Sequence, residues 1–173
     1  MKRIAVEEAF VTQEISEQWE SFLHSGAPDE PGFQKMGETI LADLPSNRRL
    51  HEQLLNLADH RIQDMDEAGI DVQVISLTSP GVQIFEGGLA AELASKSNDQ
   101  LSKAVLAHPR RFSGLAAITP QLPETAAEEI RRAKNELNLK GIIINSHTGG
   151  KYLDAEEYRP IFETAESLDM PIY

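Results

Sequence analysis

Two apolar runs in this sequence end in side chains that can do chemistry. Residues 139–147 (LKGIIINSH) are apolar and β-branched until Asn145-Ser146-His147, and Gly149-Gly150 then turns the chain. A continuous apolar run is the pattern of a strand buried on both faces, found in parallel sheets covered by helices. In barrels of alternating strands and helices, ligands and catalytic groups gather at the carboxyl ends of such strands. The chain opens in the same way, because residues 3–10 (RIAVEEAF) stay apolar until Glu7 and Glu8. A carboxylate and an imidazole on two different strands form half of a divalent-metal site. Successive strand residues point to opposite faces, so one of Glu7 and Glu8 looks inward, and the alternation does not settle which. An inward carboxylate needs compensation from a cation or a hydrogen bond, which either a metal or a basic side chain would supply.

The elements that must hold these groups alternate strictly. Strands are expected over 3–10, 72–78, 112–119 and 139–147, and a fifth begins at 170–173. Helices are expected over 50–68, 88–107, 123–138 and 155–169, with Gly69 stopping the first and Pro123-Glu124-Thr125 opening the third. This alternation is the signature of βαβ units and a parallel sheet. The expected fold class is α/β, a (β/α)₈ barrel of which residues 1–173 supply the first four to five units. A small doubly wound domain is the structural alternative. A long insertion over 11–49, holding His24-Ser25-Gly26-Ala27-Pro28, Pro31-Gly32 and Pro45-Ser46-Asn47, interrupts the first unit. Insertions after a barrel strand usually cover the active-site face. Four units would leave two sheet edges unpaired, so either the rest of the barrel or other copies of the chain must cover them.

Composition narrows the partners. The 173 residues carry 16 basic and 28 acidic side chains, a formal net charge of −12. Nucleic acid and anionic membranes recruit basic patches, so neither is expected as a partner. The sequence has no cysteine, which leaves oxygen and nitrogen as the available metal donors. No apolar run approaches the ~18 residues of a membrane helix, and the apolar stretch before Glu7 is too short for a signal peptide. A soluble, cytoplasmic protein is expected. No nucleotide-binding glycine loop, serine-hydrolase elbow or H-E-x-x-H motif occurs.

Other residues fall on the same expected rim. Ser79, in the Thr78-Ser79-Pro80-Gly81 turn after the second strand, offers a hydroxyl, although Pro-Gly alone explains a turn. Arg48, in the insertion just before a helix, can either be solvated surface or grip a carboxylate through two parallel hydrogen bonds. His24, His51, His60 and His108 carry no motif and are read as surface or structural.

Taken together, RIAVEEAF, RIQDMDEAGIDVQVISLTSPGVQ, LKGIIINSHTGGKYLD and SLDMPIY resemble the amidohydrolase-related, metal-dependent, non-oxidative decarboxylases. That family includes the aminocarboxymuconate-semialdehyde and 5-carboxyvanillate types, and the likeness spans the N-terminal half of a member. It implies one divalent metal, Mn²⁺ or Zn²⁺, held in part by Glu7 and His147. It further implies that Arg48, in Pro45-Ser46-Asn47-Arg48, contacts substrate, and Ser79, from its place on the same expected rim, is read as a second substrate contact. Many members carry a histidine ligand two residues after the strand-one glutamate, where this chain has Ala9. The implied reaction is protonation of the ring carbon that bears the carboxylate, followed by loss of CO₂ from a hydroxylated aromatic acid. The proton donor is expected outside this chain, so no residue here is assigned as catalytic. The implied partners are a small aromatic carboxylate and either further copies of the chain or the remaining half of the barrel. A metal-dependent hydrolase on the same scaffold and an inactive half-barrel are the competing readings. Ala9 counts against the hydrolase, whose relatives generally use H-x-H in strand one.

Overall fold

The first four strands of the computed structural model add in turn to the same edge of one sheet. The structure describes residues 1–25, 31–40 and 44–173. The elements run β1 (Ile4–Phe10), α1 (Gln13–His24), α2 (Pro31–Ile40), α3 (Pro45–Leu55), α4 (Asp59–Ala68), β2 (Val72–Leu77), α5 (Gly87–Ala107), β3 (Phe112–Ala117), α6 (Pro123–Asn135) and β4 (Gly141–Ile143). A short hairpin of β5 (His147–Thr148) and β6 (Lys151–Tyr152), a 3₁₀ turn (Glu156–Tyr158) and α7 (Arg159–Ser167) follow. The main sheet has the order β1-β2-β3-β4 with every pair parallel, and Ile172 then pairs with Ile142 on the far side of β4. A doubly wound domain reverses its strand order partway through. This one does not, so the winding is that of a barrel.

The sheet also curls. The side chain of Tyr173, beyond β4, lies close enough to that of Glu7 on β1 for the two to interact. In a flat sheet these two strands would lie about 19 Å apart, four spacings of ~4.8 Å, farther than the two side chains reach together. The helices cover the outer face. Leu101 and Val105 of α5, Ala126 and Ile130 of α6 and Ile161 of α7 are buried in one core with Ile75, Phe112 and Ile142 from the strands. Side chains of this kind each contribute roughly 1.5–3 kcal/mol when fully buried.

Three expected elements differ from what forms. The helix expected over 50–68 is two helices, α3 and α4. Asn56 adopts an extended conformation, and its side chain accepts from the Ala58 amide at 2.9 Å, a local turn that ends α3. Arg61 then satisfies carbonyls at the end of α3, donating to Asn56 O at 2.7 Å and Gln53 O at 3.2 Å. The strand expected over 139–147 keeps its ladder only over Gly141–Ile143, because its partner β3 ends at Ala117. His147 therefore stands beyond β4, in the β5–β6 hairpin. That hairpin closes through Gly149 and Gly150, both at positive φ (56° and 76°), as a two-residue turn of this kind requires. The helix expected over 155–169 starts as a 3₁₀ turn. Pro160 falls in the first turn of α7, where its missing N–H and ring are tolerated, and a helix running through from residue 155 would place it in the interior. In the insertion, Gly26-Ala27-Pro28 lie outside the described residues. Arg48 sits within α3, not ahead of a helix.

Candidate metal centre

Which carboxylate faces inward is decided by a bulge in β1. Ala5 pairs with Gln73 and Glu8 with Ile75, so β1 takes three steps where β2 takes two. The extra residue falls at Val6–Glu7 and resets the alternation. Gln73 and Ile75 face the helices, so Ala5 and Glu8 face the helices too. Glu7 lands on the inner face, and so does Ala9, which pairs with Ser76.

The surroundings of the two carboxylates agree with this phase. Glu8 accepts from Gln73 Nε2 at 3.0 Å and lies in the field of Arg61. Glu7 meets the hydroxyl of Tyr173. Desolvation and the Glu7 carboxylate together raise the Tyr173 pKa, because both disfavour a phenolate there.

The loops beyond the strand ends form one laced rim. After β2, Gly81 O accepts from Trp19 Nε1 of α1 at 3.0 Å, and Pro80 O accepts from Asn145 Nδ2 at 2.9 Å. Gln121, in the loop after β3, donates to Phe85 O at 2.9 Å and Val82 O at 3.2 Å. The insertion packs onto this rim. Phe22 of α1 meets Phe85 edge-on, with ring centroids 6.0 Å apart, and Phe33 of α2 packs against Trp19 and Phe22. The Val11 amide donates to Leu54 O at 3.1 Å, which fixes the end of α3 just past the end of β1. His51 of α3 and Ser16 of α1 share a 2.8 Å hydrogen bond that ties the two helices together.

His147 is exposed, its ring 6.3 Å from that of Tyr152 and its Nδ1 3.4 Å from Ser146 Oγ. Ser79 is exposed in the turn after β2, and Arg48 is exposed on α3. Among the described residues, no three His, Asp or Glu side chains converge as a metal cluster. Glu7 and His147 fit such a site by the chemistry of their donors. A carboxylate oxygen and an imidazole nitrogen, with no thiolate available, suit Mn²⁺ or Zn²⁺.

The outer face holds residues that the sequence reading passed over. A cleft of about 640 Å³ lies there, lined by Glu8, Arg49, His60, Arg61 and Asp64 among others. Arg61 is 8% exposed and also donates to Ala9 O at 2.8 Å and Gln73 Oε1 at 3.3 Å. Burial lowers its pKa, and the Glu8 and Asp64 charges oppose that shift. Asn98 of α5 is 1% exposed; its side chain accepts from the Ala117 amide and donates to the Ala117 carbonyl, both at 2.8 Å. A signal for both lay in the helical period, since each stands where an apolar residue belongs. Arg61 falls between Leu57 and Met65, and Asn98 between Ala94 and Leu101.

Known proteins resemble this chain in sequence and fold. Residues 44–173 match the amidohydrolase family model. The chain is 35% identical to γ-resorcylate decarboxylase from Polaromonas sp. over 99% of its own length and 49% of that relative's. It superposes on the crystal structure of 5-carboxyvanillate decarboxylase from Novosphingobium aromaticivorans, solved with manganese and 3-methoxy-4-hydroxy-5-nitrobenzoic acid. There the TM-score is 0.95 at 41% identity, over 99% of this chain and 50% of that one. A dihydroxybenzoic acid decarboxylase from Polaromonas sp., with manganese and 2-nitroresorcinol, gives a TM-score of 0.79 at 34% identity, over 99% and 48%. The chain thus spans about half the length of the relatives it matches. On the family match over residues 44–173 and the likeness in sequence and fold, this chain belongs to the amidohydrolase family.

Proposed function

We propose that this chain is the N-terminal half of a metal-dependent decarboxylase that releases CO₂ from a hydroxylated aromatic carboxylic acid. The observation that carries the reading is the inward Glu7, set beneath a rim that bears His147, in a fold that matches manganese-containing aromatic acid decarboxylases. Glu7 and His147 serve as two of the ligands of one divalent ion, Mn²⁺ or Zn²⁺. When bound, that ion supplies charge stabilisation to the substrate's carboxylate and phenolate oxygens. The Arg48 guanidinium, on a helix fixed over the end of β1, pairs with a carboxylate of the substrate through two parallel hydrogen bonds. The Ser79 hydroxyl donates to a substrate oxygen from the turn after β2. The ring carbon is protonated by an acid supplied by the rest of the barrel, and the carbon–carboxylate bond then breaks to restore aromaticity. Activity accordingly requires the remaining half. Among the described residues no helix is long and apolar enough to cross a membrane.

The test combines intact mass and metal content with a CO₂-release assay on one sample. The substrates are 5-carboxyvanillate and 2,6-dihydroxybenzoate. The expected result is about one Mn²⁺ or Zn²⁺ per completed barrel, CO₂ release from that species, and none from the 173-residue chain alone. Turnover by the 173-residue chain alone, or lactone hydrolysis without CO₂ release by the completed barrel, would contradict the reading.

A further inference from the structure

We infer that Gln83 is the positioning residue of this metal centre, fixing the backbone on which the His147 imidazole stands. The inference rests on the metal-site reading above. Gln83 lies in the loop after β2, is 9% exposed and makes its side-chain contacts to one stretch of chain, residues 145–148. Its Oε1 accepts from the Asn145 amide at 2.6 Å. Its Nε2 donates to Thr148 Oγ1 at 2.5 Å and lies 3.3 Å from His147 O and 3.4 Å from Asn145 O. Two amide hydrogens thus serve three oxygens, with the short bond to the threonine and a shared, longer contact to the two carbonyls.

No other side chain of this size reproduces the set. A glutamate would turn acceptor oxygens on two carbonyls, and a leucine would leave a partly buried amide and two carbonyls unpaired. The flanks are held independently. Asn145 Nδ2 donates to Pro80 O at 2.9 Å, and the Tyr158 hydroxyl donates to Thr148 O at 3.2 Å. Outside the Gln83 contacts, the segment from Ile144 to Ser146 lies in no strand. Gln83 holds His147 by its carbonyl and leaves the imidazole at the surface. That division suits a metal ligand, whose main chain must be fixed and whose ring must remain available.

The test compares Gln83→Leu with Gln121→Leu. Gln121 is also a glutamine tied to the β2 loop, through Val82 O and Phe85 O, but its contacts lie away from residues 145–148. Mn²⁺ affinity is read by electron paramagnetic resonance of the free ion, and order in the loop by amide exchange at Asn145 and Thr148. Gln83→Leu is expected to speed exchange at Asn145 at least tenfold and to weaken Mn²⁺ binding about tenfold, in the range of other lost supports of metal ligands. Gln121→Leu is expected to leave Mn²⁺ affinity within about twofold, the small coupling expected of a side chain that shares no partner with residues 145–148. Parental affinity in Gln83→Leu, or equal loss in both variants, would overturn the inference. Should Gln83→Leu fail to fold, Thr148→Val removes the shortest of the Gln83 contacts at nearly constant volume; a several-fold loss of affinity supports the inference and parental affinity overturns it. All variants are carried in the completed barrel, and absence of Mn²⁺ binding by the parental completed barrel would refute the metal-site reading and the inference with it. Loss of binding in Gln83→Leu alone leaves that reading standing.

Discussion

Glu7 and Glu8 are neighbours in sequence with opposite surroundings. Glu8, among the helices, accepts from Gln73 and lies beside the buried Arg61, so its charge is answered within the fold. Glu7, on the inner face, meets the Tyr173 hydroxyl, which offers a hydrogen bond but no positive charge. The comparison separates a carboxylate that builds the structure from the one that the proposed metal site would use. What divides them is the alternation of the strand itself, with a bulge in β1 setting its phase.

The largest way to break the outer side of this comparison is Arg61→Met. The guanidinium satisfies carbonyls at Ala9, Gln53 and Asn56 as well as the Gln73 side chain. Its loss leaves those acceptors without their donor and Glu8 without its cation, and is expected to cost about 3 kcal/mol or more in denaturant unfolding. A cost below about 1 kcal/mol would show that water replaces the arginine freely.

Next in size is the paired test of the two carboxylates. Glu8→Gln removes one charge beside Arg61 and is expected to cost about 1 kcal/mol. It should leave Mn²⁺ affinity unchanged. Glu7→Gln should do the reverse, keeping stability within about 0.5 kcal/mol, as for other exposed positions, and abolishing Mn²⁺ binding. Equal effects of the two variants on either measurement would erase the distinction between the faces.

Smaller still is the deletion of Val6. The deletion restores a regular strand and preserves every observed pairing, because Glu7 then takes the step opposite Val74 and Ala5 still meets Gln73. Val6 is 59% exposed, so the expected cost is less than about 1 kcal/mol. Glu7 should keep its contact with Tyr173. Loss of that contact, read from the Tyr173 ring signals by NMR, would mean that the bulge does more than set the phase.

The smallest effect is in pH. Tyr173 has a raised pKa in the folded chain, so its contact with Glu7 is complete below the unfolded tyrosine pKa of ~10 and is lost as pH rises through the higher folded value. In Glu7→Gln the Tyr173 titration should move back down. An unchanged titration would place its cause in desolvation alone.

Much of the fold was legible because strand and helix periods differ and the turns carry Gly and Pro. Strands β1, β2 and β3 and helices α5 and α6 fall close to their expected ranges. The break between α3 and α4 was not legible, since Leu54, Leu57, Ile62 and Met65 keep helical spacing across it. The Asn56 turn and the reach of Arg61 from the next helix settle the break, and both are tertiary effects. Where His147 stands was misplaced by a similar route, because an apolar run does not report where its neighbour strand stops. The choice between Glu7 and Glu8 was hidden because a bulge leaves no mark on apolar alternation. Gln83 was quoted in a motif, yet its importance lies in contacts some 62 residues away in sequence.

The most direct test of the central claim is a map of Mn²⁺-induced paramagnetic broadening over the assigned NMR signals of this chain within the completed barrel. The account expects broadening centred on Glu7, Ala9 and residues 146–148, lost in Glu7→Gln. Broadening centred on Glu8, His60 and Asp64 in the outer cleft, or spread evenly over the acidic surface, would contradict it.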